Sequence, residues 1–506
     1  MVAKLIAWAL DSPVVVLLLV SALIVVGGYA FTHVNVEAYP DPAPAIIEIV
    51  AQYPGRSAEE IERQVTIPLE VALAGMPGLK YTRAKSMFGL AHIRNQFEYG
   101  IEYEAAKQQV INRLQGIELP DGVVPQISPA SPIGEIMRYT LSNPRDADGH
   151  PIYTLNDLKS LQDWTLQREF RRVPRVAGVV SSGGEVKRYE VRPDPDRLKE
   201  YGITLDQLQD AVAKSNANVG GDYIVHGASI QVVRVIGLIG GGEDPMQTAM
   251  QMPTPAKAAE YLRAEEASRI QEIRSIVIAS TNNVPIRVEH VVDGGPLRPG
   301  DPPAERGVIV NHHTRQGQLA IRRPVEKDQS EKDDLVDEGI AKEWEDAPDE
   351  VQGIILLRKG EQSIPALADV KAKIEELNET PGRLLPGVKI RVFYDRARLI
   401  DMTTETVHEN LAVGLTLVTV ILLMFLSNIR SALIVAINIP LALLFAFCVL
   451  YLRGKSANLL SIGAVDFGII VDSSVIMVEN IYRRLRAGEN ANLPLKNRIL
   501  LASREV

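Results

Sequence analysis

The chain has 506 residues, enough for several domains. Its 54 Lys and Arg stand against 63 Asp and Glu, a net charge of −9 that argues against a nucleic-acid surface. One cysteine, Cys448, excludes a disulfide framework and any multi-cysteine zinc site.

Apolar residues gather toward both ends and leave a long polar middle. The first apolar block, Pro13 to Ala30, is near the ~20 residues that a bilayer demands. A secretory signal peptide is the alternative reading. Lys4 is the one basic residue ahead of it, Asp11 is acidic, and no small-x-small site precedes Phe31, so a retained membrane helix is expected.

The middle alternates strand and helix signals. Ile46 to Tyr53 alternates in part, as a half-buried strand does. Pro54-Gly55-Arg56 turns the chain, Ser57 and Glu60 form a capping-box pattern, and Ile61, Val65, Leu69 and Ala72 follow at helical spacing. Tyr81–Met87 and Ala91–Phe97 read as strands around Phe88-Gly89, and Glu102–Leu114 as a helix. The order is that of a split βαβ unit. A second unit begins at Glu135, with a helix over about Leu155–Arg171 and a strand near Gly178–Gly184. It is interrupted by two short helices (Pro195–Tyr201 and Thr204–Ser215) and a β-rich piece from Gly220. Strands are expected at Arg274–Ala279 and Val284–Val292. Gly353–Arg358, Ile364–Leu377 and Lys389–Tyr394 add a strand, a helix and a strand. Pro296–Arg306 and Pro324–Glu350, crowded with Pro, Gly or charge, read as solvated loops.

Three further apolar blocks follow: Leu411–Leu426, Ala432–Leu452 and Leu459–Val478. With the N-terminus inside, Lys4, Arg430, Arg483, Arg484, Arg486, Lys496, Arg498 and Arg504 lie on the cytoplasmic side. Only Arg453 and Lys455 fall in the short outer loop. Thr32 to His408 then lies outside the inner membrane.

The fourth block carries Asp466 and Asp472. A carboxylate at mid-membrane costs roughly 2.5–3.5 kcal/mol on insertion scales, so a proton or ion path is the expected reason for it. Each helical residue turns about 100°, so Asp472 and Glu479 fall nearly on one face, while Asp466 points roughly 120° away from Asp472. Apolar surroundings favour the neutral form of a carboxylate, the property a reversible proton carrier needs. The competing readings are helix glue for the aspartates and an i,i+4 pair with Arg483 for Glu479. Met246, Met250 and Met252 offer soft thioethers but read more readily as packing. His312-His313, adjacent in sequence, have poor geometry for one metal. The sequence has no Gly-x-x-x-x-Gly-Lys-Ser/Thr loop, Gly-x-Ser-x-Gly or His-Glu-x-x-His motif, so no nucleotide or other cofactor is expected.

Several stretches together resemble the N-terminal half of a Resistance-Nodulation-Division efflux pump. They are Tyr53-Pro-Gly-Arg-Ser-Ala-Glu-Glu through Leu79, Phe393-Tyr-Asp-Arg396, Asn428-Ile-Arg-Ser-Ala-Leu-Ile434, and Asp466-Phe-Gly-x-x-x-Asp472 ending in Val478-Glu479-Asn480. The last looks like the heavy-metal branch, with Ser473-Ser474 where that branch usually has Gly-Ala. About Glu243–Glu266 and Pro324–Glu350 look like insertions.

The resemblance implies an α+β membrane protein: transmembrane helices plus a periplasmic porter domain of ferredoxin-like βαβ units with an inserted docking subdomain. The implied division is helix 1 at 1–32, porter subdomain 1 at 33–132, porter subdomain 2 at 133–188 and 277–405, docking subdomain at 189–276, helices 2 to 4 at 406–427, 430–453 and 456–482, and a cytoplasmic truncated end at 483–506. It implies a multi-pass protein of the bacterial inner membrane, not an enzyme. The activity is proton-driven efflux of heavy-metal cations, divalent ones, with Asp466, Asp472 and Glu479 as the proton relay. A lysine from a second half would pair with Asp472. A homotrimer working with a periplasmic adaptor and an outer-membrane channel is implied as well. The chain itself is expected to be a fragment or split product. The alternatives are an exporter of drugs or hydrophobic compounds, or a non-transporting membrane fragment.

Overall fold

The computed structural model describes residues 2–34, 36–37, 43–128, 134–227, 229–235, 237–281, 283–298, 306–311, 317–324, 344–347, 349–426, 429–454, 457–458, 467–487 and 492–503. The chain divides into two compact units. One comprises Met1–Gly134, Lys359–Pro365 and Asp395–Val506, the other Glu135–Arg358 and Ala366–Tyr394.

In the first unit, the strand Ile46–Gln52 buries Ile47, Ile49 and Ala51 and leaves the alternate side chains half-exposed, the period of two expected of a one-sided sheet. The following helix starts at the capping box. The Glu60 N–H donates to Ser57 Oγ (3.3 Å) and the Ser57 N–H donates to the Glu60 carboxylate (2.9 Å). It runs as Ala58–Ile61, a π-turn over Glu62–Thr66, and Ile67–Leu73. The wider turn holds residues four apart on one side, so Ile61, Val65, Leu69 and Leu73 are all buried, Leu73 taking the place expected of Ala72. The strands Leu79–Met87, Leu90–Phe97, Ile46–Gln52 and Gln126–Ser128 lie side by side in that order, all antiparallel, with Tyr103–Leu114 as the second helix.

The same unit holds the apolar helices. Among the described residues two are long and apolar enough to cross a membrane by length and composition, Pro13–His33 and Ala432–Leu452, the latter within the helix Ile429–Leu452. Ala412–Ile421 is a shorter apolar stretch inside a single helix, Arg396–Leu426. Pro13–His33 and Ile429–Leu452 share a small core of Ala30, Val34, Phe447 and Cys448, with the Phe31 and Phe447 rings edge-on at 5.0 Å. Gly27 permits the approach, because a Cβ there would lie 2.7 Å from Leu444 Cβ.

The second unit repeats the strand order. Numbered along the chain, Glu135–Ser142, Val176–Ser182, Gln352–Leu357 and Lys389–Asp395 are arranged 4-1-3-2, as are the four strands of the first sheet. Its first helix also opens on a capping box, Thr154 with Asp157, and contains a π-turn over Leu161–Leu166. Between the second and third strands lies a long insert with its own core, which includes Ile203, Leu208, Ile270, Ile273, Val288 and Val308.

Three expectations fail within this insert. Arg274 does not begin a strand; it ends the helix Pro255–Ser275, and the strand is Val277–Thr281. Thr254 caps that helix, Pro255 occupies its first turn, and Ala258, Ala259, Leu262, Ile270 and Ile273 give it a buried stripe. The strand expected over Val284–Val292 stops at Arg287 and gives way to a helical turn, Val288–Val291, whose Val288 and Val291 are both buried. The charged stretch Pro324–Glu350 is not wholly loop, since Trp344–Ala347 pairs with Ile321–Pro324.

Candidate functional site

The helix Phe467–Arg486 carries two of the three expected relay residues. Asp472 and Glu479 sit seven positions apart, which at ~1.5 Å per residue is about two turns along one face. Asp466 lies outside the described residues. Glu479 is exposed, and the i,i+4 ion pair with Arg483 does not form: Arg483 Nη2 donates instead to Asn480 Oδ1 at 3.1 Å. Arg483, Arg484 and Arg486 close the last turn, where cations complement the helix dipole.

Asn480 is the neighbour that the relay reading overlooked. It is buried, and its Nδ2 donates to the Ala502 carbonyl at 2.8 Å. Arg498 Nη2 donates to the Leu485 carbonyl at 3.1 Å, so the short helix Leu495–Ser503 is tied back along the C-terminal end of the helix Phe467–Arg486. Lys496 pairs with Asp11 of the N-terminal helix. An Asn directly after Glu479 at the end of an apolar helix was the available signal.

The sequence left the metal residues unnamed, reading the methionines as packing and the adjacent histidines as poor ligands. Met246 and Met250 are buried, as packing groups are, and His312 and His313 lie outside the described residues. Asp146, Asp148 and His150, not singled out from sequence, bring three ligand-type atoms within 4.8 Å on an exposed turn. Asp146 Oδ1 already accepts the N–H groups of Asp148 (3.0 Å) and His150 (2.8 Å), which fixes the turn.

The second unit also has a cleft of about 350 Å³ walled by Trp164, Arg168, Arg172, Asp244 and Arg383. Its Glu169 is held below the ordinary carboxylate range by the hydrogen bond from Lys373 Nζ, at 2.8 Å, with Arg172 contributing. Guanidiniums repel cations, so this cleft is a poor station for a metal ion.

The chain matches the model of the AcrB/AcrD/AcrF family over residues 5–293 and 336–506. It belongs to that family. Glu243–Glu266, expected as an insertion, falls inside the match. The cation efflux system protein CzcA of Alcaligenes sp. (strain CT14) is 34% identical over 502 residues, covering 98% of this chain and 41% of that protein. The cation efflux system protein CusA of Escherichia coli (strain K12) is 31% identical over 466 residues, covering 91% of this chain and 37% of its own length. The crystal structure of a heavy metal efflux pump, crystal form II, superposes with a TM-score of 0.71 at 31% identity, covering 99% of this chain and 42% of that one. The resemblance to the heavy-metal branch of these pumps holds, and the chain spans about 41% of the length of the first relatives it matches.

Proposed function

We propose that this chain is part of the inner-membrane component of a proton-driven exporter of heavy-metal cations, divalent ions foremost. The observation that carries the reading is the similarity to cation efflux proteins along nearly the whole chain, with Asp472 and Glu479 two turns apart on the helix Phe467–Arg486, whose Phe467–Val478 part is mostly apolar. In this reading Asp472 takes up and releases the proton at mid-membrane, Asp466 is an entry or exit station, and Glu479 is the outlet toward the basic, cytoplasmic end. The helices Pro13–His33, Arg396–Leu426, Ile429–Leu452 and Phe467–Arg486 span the bilayer, the two split-βαβ sheets act as periplasmic porter subdomains, and the insert acts as a docking subdomain.

A homotrimer is part of the proposal. The hairpin Val219–His226 and Ser229–Val235 exposes Tyr223, Ile224, Val225, Ile230 and Val232, each more than half exposed. A two-stranded hairpin is marginal alone, and apolar side chains on both faces need cover, which a neighbouring copy supplies. A periplasmic adaptor and an outer-membrane channel complete the proposed assembly.

The test is transport by a chimera in which the C-terminal part of a relative such as CzcA completes this chain. Proteoliposomes with an imposed pH gradient should accumulate Zn²⁺, Co²⁺ or Cd²⁺ and not a hydrophobic dye. Accumulation of the dye alone would move the assignment to a drug exporter.

A further inference from the structure

The face of the first sheet that points away from its helices carries a charge pattern the sheet does not balance. Alternation puts Tyr81, Arg83 and Lys85 on that face from Leu79–Met87, and His92 and Arg94 from Leu90–Phe97. The register sets Arg83 directly opposite Arg94 and Lys85 directly opposite His92. Two guanidiniums directly opposite one another, Arg83 and Arg94, destabilise a strand pair. Glu48, opposite Arg94 on the next strand, lies 3.6 Å from Arg94 Nε and 3.7 Å from His92 Nε2, so one carboxylate is shared between two partners. Arg83 instead lies over the Tyr81 ring, 5.2 Å from its centroid. A sheet that keeps two guanidiniums and an ammonium on so little acid has given up stability for something else.

We propose that this face is a docking surface for an acidic segment of a partner protein. Arg83 and Arg94 present planar forks that match carboxylates in two-point fashion, and Lys85 adds a point charge one row along. Neighbouring strands are ~4.8 Å apart and successive same-face residues about 6.7 Å apart, so an extended segment with an acid at every second residue meets both rows. The same face holds Gln126, and Tyr81 donating to Gln96; the Gln96 amide N–H groups and the Tyr81 oxygen keep further hydrogen-bonding capacity for a polypeptide. A metal cation is repelled there, so the surface is separate from any cargo path and goes beyond the transport reading.

The test uses the full chain in a neutral detergent and a fluorescent peptide of alternating Glu and Ala, read by anisotropy. The peptide should bind, and added salt should weaken it, as screening requires. Reversing Arg83→Glu together with Lys85→Glu should weaken it by about tenfold or more. Arg83→Glu alone turns the like-charged pair into an opposite one, so its thermal midpoint should stay level or rise while affinity falls. That result separates a lost surface from a lost fold. Equal affinity for a Lys-Ala peptide, unchanged affinity in the double variant, or no peptide binding at all would overturn the proposal. So would phosphatidylglycerol vesicles binding through these residues where the peptide does not, which would give the face to lipid.

Discussion

Single residues divide by whether their partners are near in sequence. The Ser57–Glu60 box was legible because both members lie within one turn, and Glu60 is indeed held below its ordinary value, chiefly by the Ser57 N–H. Ser57→Ala should cost about 0.5–2 kcal/mol by denaturant unfolding. The Glu169–Lys373 pair was not legible, since its members come from helices on opposite sides of the insert. Glu169 titrates lower folded than unfolded, so its stabilisation is complete above the unfolded glutamate value and is lost as pH falls through the folded one. Glu169→Gln should therefore cost roughly 1.5–3 kcal/mol at neutral pH, and the difference from wild type should vanish in acid. A gap that persists unchanged at low pH would mean that packing, not charge, holds this site. Lys159 is half legible: Asp163 lies four residues on along the same helical run, while Ser181 lies on the following strand. It is fully buried, donates to Ser181 Oγ and lies 3.5 Å from Asp163, and burial lowers its pKa.

Among elements, those with punctuation at both ends were legible: the Phe88-Gly89 hairpin, the capped helices, the strand from Glu135. The π-turns were not, because one extra residue per turn leaves the composition unchanged and only moves the buried stripe from Ala72 to Leu73. Pro255–Ser275 was missed because its many charges mask a narrow apolar stripe, although Thr254 and Pro255 announce its start. Between the apolar helices, Gly27 is the tight point. Gly27→Val should cost about 1–3 kcal/mol, seen as earlier unfolding on titrating a denaturing detergent into the solubilised chain. Wild-type resistance in that variant would place the helix contact elsewhere.

At the scale of the whole molecule, the pump family was legible from the Asp466–Asn480 run and the Tyr53–Leu79 run, since both are local in sequence. The 4-1-3-2 order common to both sheets became visible only through strand pairing. The exposed hairpin had no sequence signal beyond Gly220-Gly221. If it is covered by another copy, Ile224→Asp with Val232→Asp should shift the detergent-solubilised chain from a larger assembly to a monomer by light scattering. The measurement that bears most directly on proton-driven export is proton release from metal-loaded proteoliposomes by the completed chimera with Asp472→Asn. Metal-dependent proton flux should fall by more than about a hundredfold while metal binding persists, the size of effect seen when an essential proton carrier is removed. Proton-coupled metal transport at the unaltered rate would contradict it.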